Sequence, residues 1–176
     1  MTKTSRIAIT GPESTGKTTL ARQLNLVTGA SCVPEYAREY LMEYGPEYEQ
    51  KDLVIIAKEQ YRQVEEFASW EPQLLVADTE MTVMKIWQEV VYGEQNPVIE
   101  ALWQKQEYDL YFLPHWKIPW KADPLRENPN DRKELFERYY AVLEQAGLPF
   151  EVLEGTEKNR LAEAIRILKA RGLFPD

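Results

Sequence analysis

Residues 11 to 18, Gly-Pro-Glu-Ser-Thr-Gly-Lys-Thr, set two glycines, a lysine and a hydroxyl at the spacing G-x-x-x-x-G-K-S/T. Each residue type suits phosphate. Gly11 and Gly16 permit the backbone angles and close approach by which successive N–H groups curl around phosphate oxygens. Lys17 can reach the outer phosphates, and the Thr18 hydroxyl can face magnesium. Glu13, Ser14, Thr15 and Thr19 complete the expected ATP-binding stretch. An ordinary glycine-rich turn is the alternative, but the flanks argue against it. Arg6 to Thr10 concentrates Ile and Ala like a buried strand, and Thr18 to Leu26 repeats apolar residues at helical spacing. A strand therefore runs into a helix whose positive dipole end faces the phosphates.

Acidic residues follow two later apolar runs. Asp78 ends "LLVAD", where a carboxylate can help hold magnesium opposite Thr18; a helix N-cap is its other reading, and one residue can serve both. Glu80 stands in the next turn, where the helix dipole alone also favours an acid. Glu35 directly follows "SCVP" and precedes Tyr36 and Arg38. It could take a proton from an acceptor hydroxyl aligned with the terminal phosphate, or simply pair with Arg38 at the surface. These positions mark Lys17, Glu35 and Asp78 as catalytic candidates and Thr18 with Asp78 as the magnesium pair.

A segment rich in proline and charge, about residues 117–132, comes after the fourth apolar run and reads as a lid. Arg126 is its catalytic candidate and Arg132 its ATP-binding one, both able to meet charge developing on the phosphates. A solvated charged loop is the alternative. His115 precedes it and reads as structural.

The elements that would position these groups alternate. Strands are expected at 6–10, 31–34, 73–80, 108–114 and 149–155, and helices at about 18–26, 52–70, 81–92, 96–106, 128–147 and 156–172. "EYAREYL" is expected as a loop. Asn96 with Pro97 starts one helix, Gly147 stops another, and Thr156 caps the last, which places Thr156 beside the ATP-binding set at the end of strand five. The pattern predicts an α/β fold of three layers, with a five-stranded parallel sheet covered on both faces. In such a sheet, ligands lie outside the C-terminal strand ends.

The 176 residues, 44% of them apolar, suit one sizeable core, so residues 1–176 are expected to form one domain. There is no long apolar run and no signal-peptide pattern, so the expected setting is cytoplasmic, with no membrane partner. A formal charge of −8 disfavours a nucleic-acid partner. The single cysteine, Cys32, cannot form an intrachain disulfide and reads as a small core residue.

The segments "GPESTGKTTL", "PEYAREYL", "VADTEMTV", "NPVIEALWQKQEYDL" and "PWKADPLRENPNDRKELF" resemble, in order and spacing, the nicotinamide riboside kinase domain of NadR-type proteins over nearly the entire chain. The resemblance implies a P-loop kinase fold and ATP-dependent phosphorylation of the ribose 5′-hydroxyl of nicotinamide riboside, giving nicotinamide mononucleotide. It places Glu35, Tyr36 and Arg38 on the substrate side, Asp78 and Glu80 as the acid pair, and Trp120, Asp123 and Arg126 in the lid. Glu80 stands where the family often has aspartate, and Pro124 where glycine usually follows the lid aspartate. Proteins of this type also carry an adenylyltransferase domain, for which this chain has no room, so a stand-alone kinase is expected. The acceptor's cationic pyridinium would stack on Tyr36 and Trp120, with Trp87 a third candidate that could equally pack in the core.

Other classes differ in testable ways. A GTPase should show N-K-x-D and D-x-x-G elements, which are absent here, so ATP is the expected donor. Another small-molecule kinase would share loop, acid and lid but not the acceptor pocket, and an ATP-sensing module would transfer nothing. Oligomeric state is left open by these features.

Overall fold

Alternating side chains send each strand's apolar residues to two different cores. The computed structural model describes residues 3–118 and 131–175. Its elements run β1 (Ser5–Ile9), α1 (Lys17–Thr28), β2 (Ser31–Val33), α2 (Tyr36–Tyr44), α3 (Gln50–Ser69) and β3 (Leu74–Asp78). They continue through α4 (Met81–Tyr92), α5 (Pro97–Lys105), β4 (Leu110–Pro114), α6 (Arg132–Gln145), β5 (Phe150–Leu153) and α7 (Glu157–Ala170). All pairings are parallel, in the order β2-β3-β1-β4-β5.

Ile7 and Ile9 of β1, Leu74 and Val76 of β3, and Leu110 and Phe112 of β4 face Leu20 and Leu24 of α1 and Ile167 and Leu168 of α7. The intervening Ala8, Tyr111 and Leu113 face Ile86 of α4 and Leu135, Phe136, Tyr139 and Leu143 of α6. Leu75, Ala77 and Val33 meet Val64 of α3 on that same side. Each such buried aliphatic or aromatic side chain contributes about 1.5–3 kcal/mol. The result is three layers with β1 central. Because the chain goes to one side of β1 for β2 and β3 and to the other for β4 and β5, the loops beyond the strand ends diverge and leave a crevice.

One expectation fails: "EYAREYL" is helical, not a loop. Ala37, Tyr40 and Leu41 recur at helical spacing and bury against Leu53, Ile56 and Ala57 of α3, forming a satellite core with Met81, Met84 and Ile99. Tyr40 also donates its hydroxyl to Asp52 at 2.7 Å. Helix α2 ends at Gly45, whose N–H makes the last helical bond, to Leu41, and whose φ of 98° turns the chain out of the helix. Helix α3 starts at Gln50, two residues before the expected Asp52, because Glu49 and Asp52 form a reciprocal capping box. The Asn96 and Thr156 caps form as expected, Asn96 accepting from Val98 and Ile99 N–H and Thr156 from Asn159 N–H. Asp131 takes the cap position of α6 without a side-chain bond. Cys32 is half-buried; its thiol donates to the Ala21 carbonyl, and burial pushes its pKa up to about 11. Among the described residues, no helix is long and apolar enough to cross a membrane. The expected lid falls mostly on residues 119–130, outside the described residues.

Candidate active site

The phosphate loop is held open by packing from below and by the start of α1. Gly11 has φ 132°, a conformation L side chains rarely adopt, and a Cβ there would press on the Leu113 side chain of β4 at 3.0 Å. Gly16, at φ 85°, is the N-cap of α1, which leaves the first-turn amides of Lys17 to Thr19 free of helical partners. Ser14 adopts φ 55°, and the Thr15 hydroxyl donates to the Pro12 carbonyl at 2.8 Å. Lys17 folds across the loop, its ammonium bound to the Gly11 and Pro12 carbonyls at 2.9 and 2.8 Å. Phosphate oxygens can replace those carbonyls without moving the helix.

Strand pairing brings the two acids to this loop. Asp78 is in register with Ile9, and Val33, two residues before Glu35, with Ala77. Asp78 is 3% exposed, and its Oδ1 has no hydrogen-bond partner among the described residues. Burial raises its pKa, against the Thr18 hydroxyl beside it and the charges of Lys17, Arg22 and Arg38. The next residue, Thr79, has φ 74°, a strained conformation for a β-branched side chain, and its N–H donates to the Ile9 carbonyl. Half-buried Glu35 also has a raised pKa, chiefly from burial, with Lys17 lowering it and Asp78 raising it.

An orphaned buried carboxylate oxygen beside a threonine hydroxyl fits magnesium, which takes one or two protein oxygens and completes its shell with water and phosphate. No group of three or more metal-ligating side chains exists among the described residues. That donor set suits a phosphate-bridged ion rather than a protein cage.

The loop and Glu35 open on one cavity of about 260 Å³, while Asp78, beside Thr18, does not itself line it. Gly11, Glu13, Ser14, Gly16, Lys17, Thr18 and Thr19 line its phosphate end, and Glu35 and Arg38 reach it from the start of α2. The far end is apolar, with Leu41, Pro46, Val83, Ile86, Val90 and Val91 around Trp87. The Trp87 indole N–H donates to the Tyr48 hydroxyl at 2.8 Å, and the rings meet edge-on at 5.0 Å. Among the described residues this fixes the ring that forms the pocket wall.

Other expected site residues lie elsewhere. Glu80 turns inward: it is 1% exposed, accepts from Thr82 N–H at 2.7 Å and Gln106 Nε2 at 2.6 Å, and starts α4 rather than facing the cavity. The extra reach of glutamate is used to span from β3 to α5. Tyr36 packs against the satellite core, its N–H held by Gln60 at 2.8 Å, and does not line the cavity. Thr15 is buried beneath the loop, and Thr156 caps α7 at the surface while its neighbour Glu157 lines the cavity. Arg132 donates to the Ser14 and Ile118 carbonyls at 3.3 and 2.8 Å, gripping the loop's outer edge. Trp120, Asp123 and Arg126 lie outside the described residues. His115 stacks on Trp116 and meets Phe136 at a tilt.

Three residues at or beside the cavity are not singled out by the sequence: Tyr139 and Glu157, which line it, and Arg160, which reaches the loop from α7. Arg160 donates to the Thr15 and His115 carbonyls, both at 2.6 Å. The signal was its place in the α7 stripe with Ala164, Ile167 and Leu168, an arginine where an apolar residue belongs.

A model of the AAA domain family matches residues 6–160. The trifunctional NAD biosynthesis/regulator protein NadR of Escherichia coli (strain K12) is 27% identical over 172 residues, covering 93% of this chain and 42% of the relative. Its counterpart from Salmonella typhimurium is 25% identical with the same coverage. The chain thus spans less than half the length of the curated relatives it matches. Among solved structures, a NadR protein in complex with NAD and AMP-PNP superposes with a TM-score of 0.82 at 22% identity, over 99% of this chain and 51% of that one. Deoxyadenosine kinase from M. mycoides superposes with a TM-score of 0.70 at 13% identity, over 94% and 99%. The chain belongs to the AAA domain family, and its fold is that of a NadR-type kinase-like domain.

Proposed function

We propose that the protein transfers the terminal phosphoryl group of ATP to the ribose 5′-hydroxyl of nicotinamide riboside, giving nicotinamide mononucleotide and ADP. One observation carries the reading: a single cavity is lined by the phosphate loop, by Glu35 and by an apolar set that includes Trp87. A NadR protein has been solved in complex with NR, which supports the same acceptor for this fold.

In the reaction the 5′-oxygen bonds to the terminal phosphorus as the bridging oxygen leaves with ADP. Glu35 receives the hydroxyl proton. Its raised pKa brings it nearer the operating pH, which favours a general base, although it must be deprotonated to act. Lys17 exchanges its two loop carbonyls for phosphate oxygens and follows the charge as it develops. Asp78 and Thr18 would hold magnesium, which neutralises phosphate charge. The ring of the acceptor would lie against Trp87, where a cationic pyridinium gains about 0.5–2 kcal/mol over an uncharged ring.

Incubation with ATP, magnesium and nicotinamide riboside, deoxyadenosine or the reduced riboside, with products identified by mass spectrometry, tests this. The expected result is the highest specificity constant for the oxidised riboside. Faster turnover of deoxyadenosine would assign a different nucleoside, as the second kinase likeness suggests. ATP binding without transfer to any acceptor would assign a sensing module.

A further inference from the structure

Arg160 opens the buried stripe of α7 and is 3% exposed. A guanidinium there is costly unless its donors and charge are met. Among the described residues no carboxylate forms an ion pair with it; Glu157 acts only through its field. Burial lowers its pKa, yet arginine stays charged. Its Nε is buried without a partner, so part of the cost remains. The two bonds it does make join the phosphate loop, at Thr15, to the residue that follows β4, at His115.

The peptide geometry gives the first bond its meaning. In a trans peptide the C=O and the following N–H point in opposite directions. Drawing the Thr15 carbonyl toward α7 therefore turns the Gly16 N–H away from α7, toward the bowl that receives phosphate. Gly16 has room for this arrangement: an added Cβ would lie 3.8 Å from Arg160 Nη1. The second bond ties the same planar group to the exit of β4, so a shift of either segment strains the other. A lysine could reach one carbonyl but not both in a fixed plane.

We propose that Arg160 is a positioning residue for the phosphoryl donor, presetting the Thr15–Gly16 peptide for phosphate and coupling the loop to residues 115–118. The proposal requires only that the loop binds nucleotide phosphate; it does not depend on which acceptor is used.

Arg160→Met and Arg160→Lys, titrated with ATP and ADP by calorimetry, are the test, with amide hydrogen exchange as a second readout. Nucleotide affinity of the folded variants should fall about tenfold, the equivalent of one lost charge-assisted contact. Exchange should rise at Gly16 and Lys17 and at 115–118 together in Arg160→Met, and in only one of the two segments in Arg160→Lys. Arg160→Lys keeps the charge and one bond, so it decides the matter should Arg160→Met fail to fold. Unchanged affinity and unchanged loop exchange in folded Arg160→Lys would overturn the proposal and leave Arg160 a packing residue. Failure of the acceptor reading would look different: the unmodified protein would bind ATP normally and leave nicotinamide riboside untouched.

Discussion

The two ends of the cavity are built on different principles. At the phosphate end, eight consecutive residues supply backbone amides, one ammonium and one hydroxyl, and the strand and helix on either side hold them. At the apolar end, where the proposed acceptor would lie, Glu35, Arg38 and Leu41 come from β2's exit and α2, Pro46 from the turn that follows, and Trp87, Val90 and Val91 from α4. Phosphate carries diffuse charge and many acceptors, so a curl of peptide can bind it whatever the rest of the ligand is. A ring is distinguished by its faces and edges, which only side chains from several directions can meet. The shared end is therefore local in the chain, and the selective end is dispersed.

Substitutions separate the two ends. Lys17→Ala should show the largest effect, a loss in kcat of about a thousandfold with a much smaller change in the thermal midpoint, because the ammonium bonds to loop carbonyls that water can also satisfy. Steady-state rates and a melting curve on the same sample check this; substantial residual turnover would break the assignment of the phosphate end. Glu35→Gln, at the junction, should lower kcat by about a hundredfold or more and leave ATP affinity within about twofold. It should also abolish the acidic limb of the kcat profile, since the active form of Glu35 is the carboxylate and its pKa lies above the usual range. A retained limb would name another base.

Trp87→Ala should raise the acceptor KM by about tenfold and leave the ATP KM alone, consistent with loss of a stacking wall worth about 1–2 kcal/mol. Equal effects on both constants would show that the two ends are not separable. Tyr48→Phe, which removes the partner of the indole N–H, should give a smaller change in the same direction.

Glu80→Gln should have the smallest kinetic effect, within about twofold, but a distinct thermodynamic one. Burial raises the Glu80 pKa in the folded state. Between the ordinary glutamate value, about 4.3, and that raised value, the native protein holds more protons than the unfolded chain, so stability falls as pH increases. A glutamine can still accept from Thr82 and Gln106 and turn its NH2 toward Thr10, so stability should depend less on pH above that ordinary value. Denaturant midpoints from pH 4.5 to 8 would reveal it. Unchanged slopes would mean that Glu80 reaches solvent or a cation.

The same division explains which parts could be read without coordinates. Strand, phosphate loop and first helix follow from contiguous residues because phosphate binding by backbone is a local property, and Asp78 could be read from its place at the end of an apolar run. The parallel sheet also followed, since alternation of apolar strands and amphipathic helices leaves few other packings. Three features needed the fold. Helix α2 is hard to read from sequence because its apolar face is short and mixed with charge, and it is the packing of α3, α4 and α5 that gives Ala37, Tyr40 and Leu41 something to cover. Glu80 and Asp78 are two residues apart and alike in chemistry, yet one strained turn at Thr79 leaves Asp78 at the loop and Glu80 in the interior. Arg160 lies 145 positions from the carbonyl it orients. The sequence alone determined where phosphate binds, because neighbouring residues suffice for it. Tertiary structure alone decided which acid lies beside the loop, which ring walls the pocket and what bonds to the loop from α7, because those depend on directions set by packing between elements far apart in the chain.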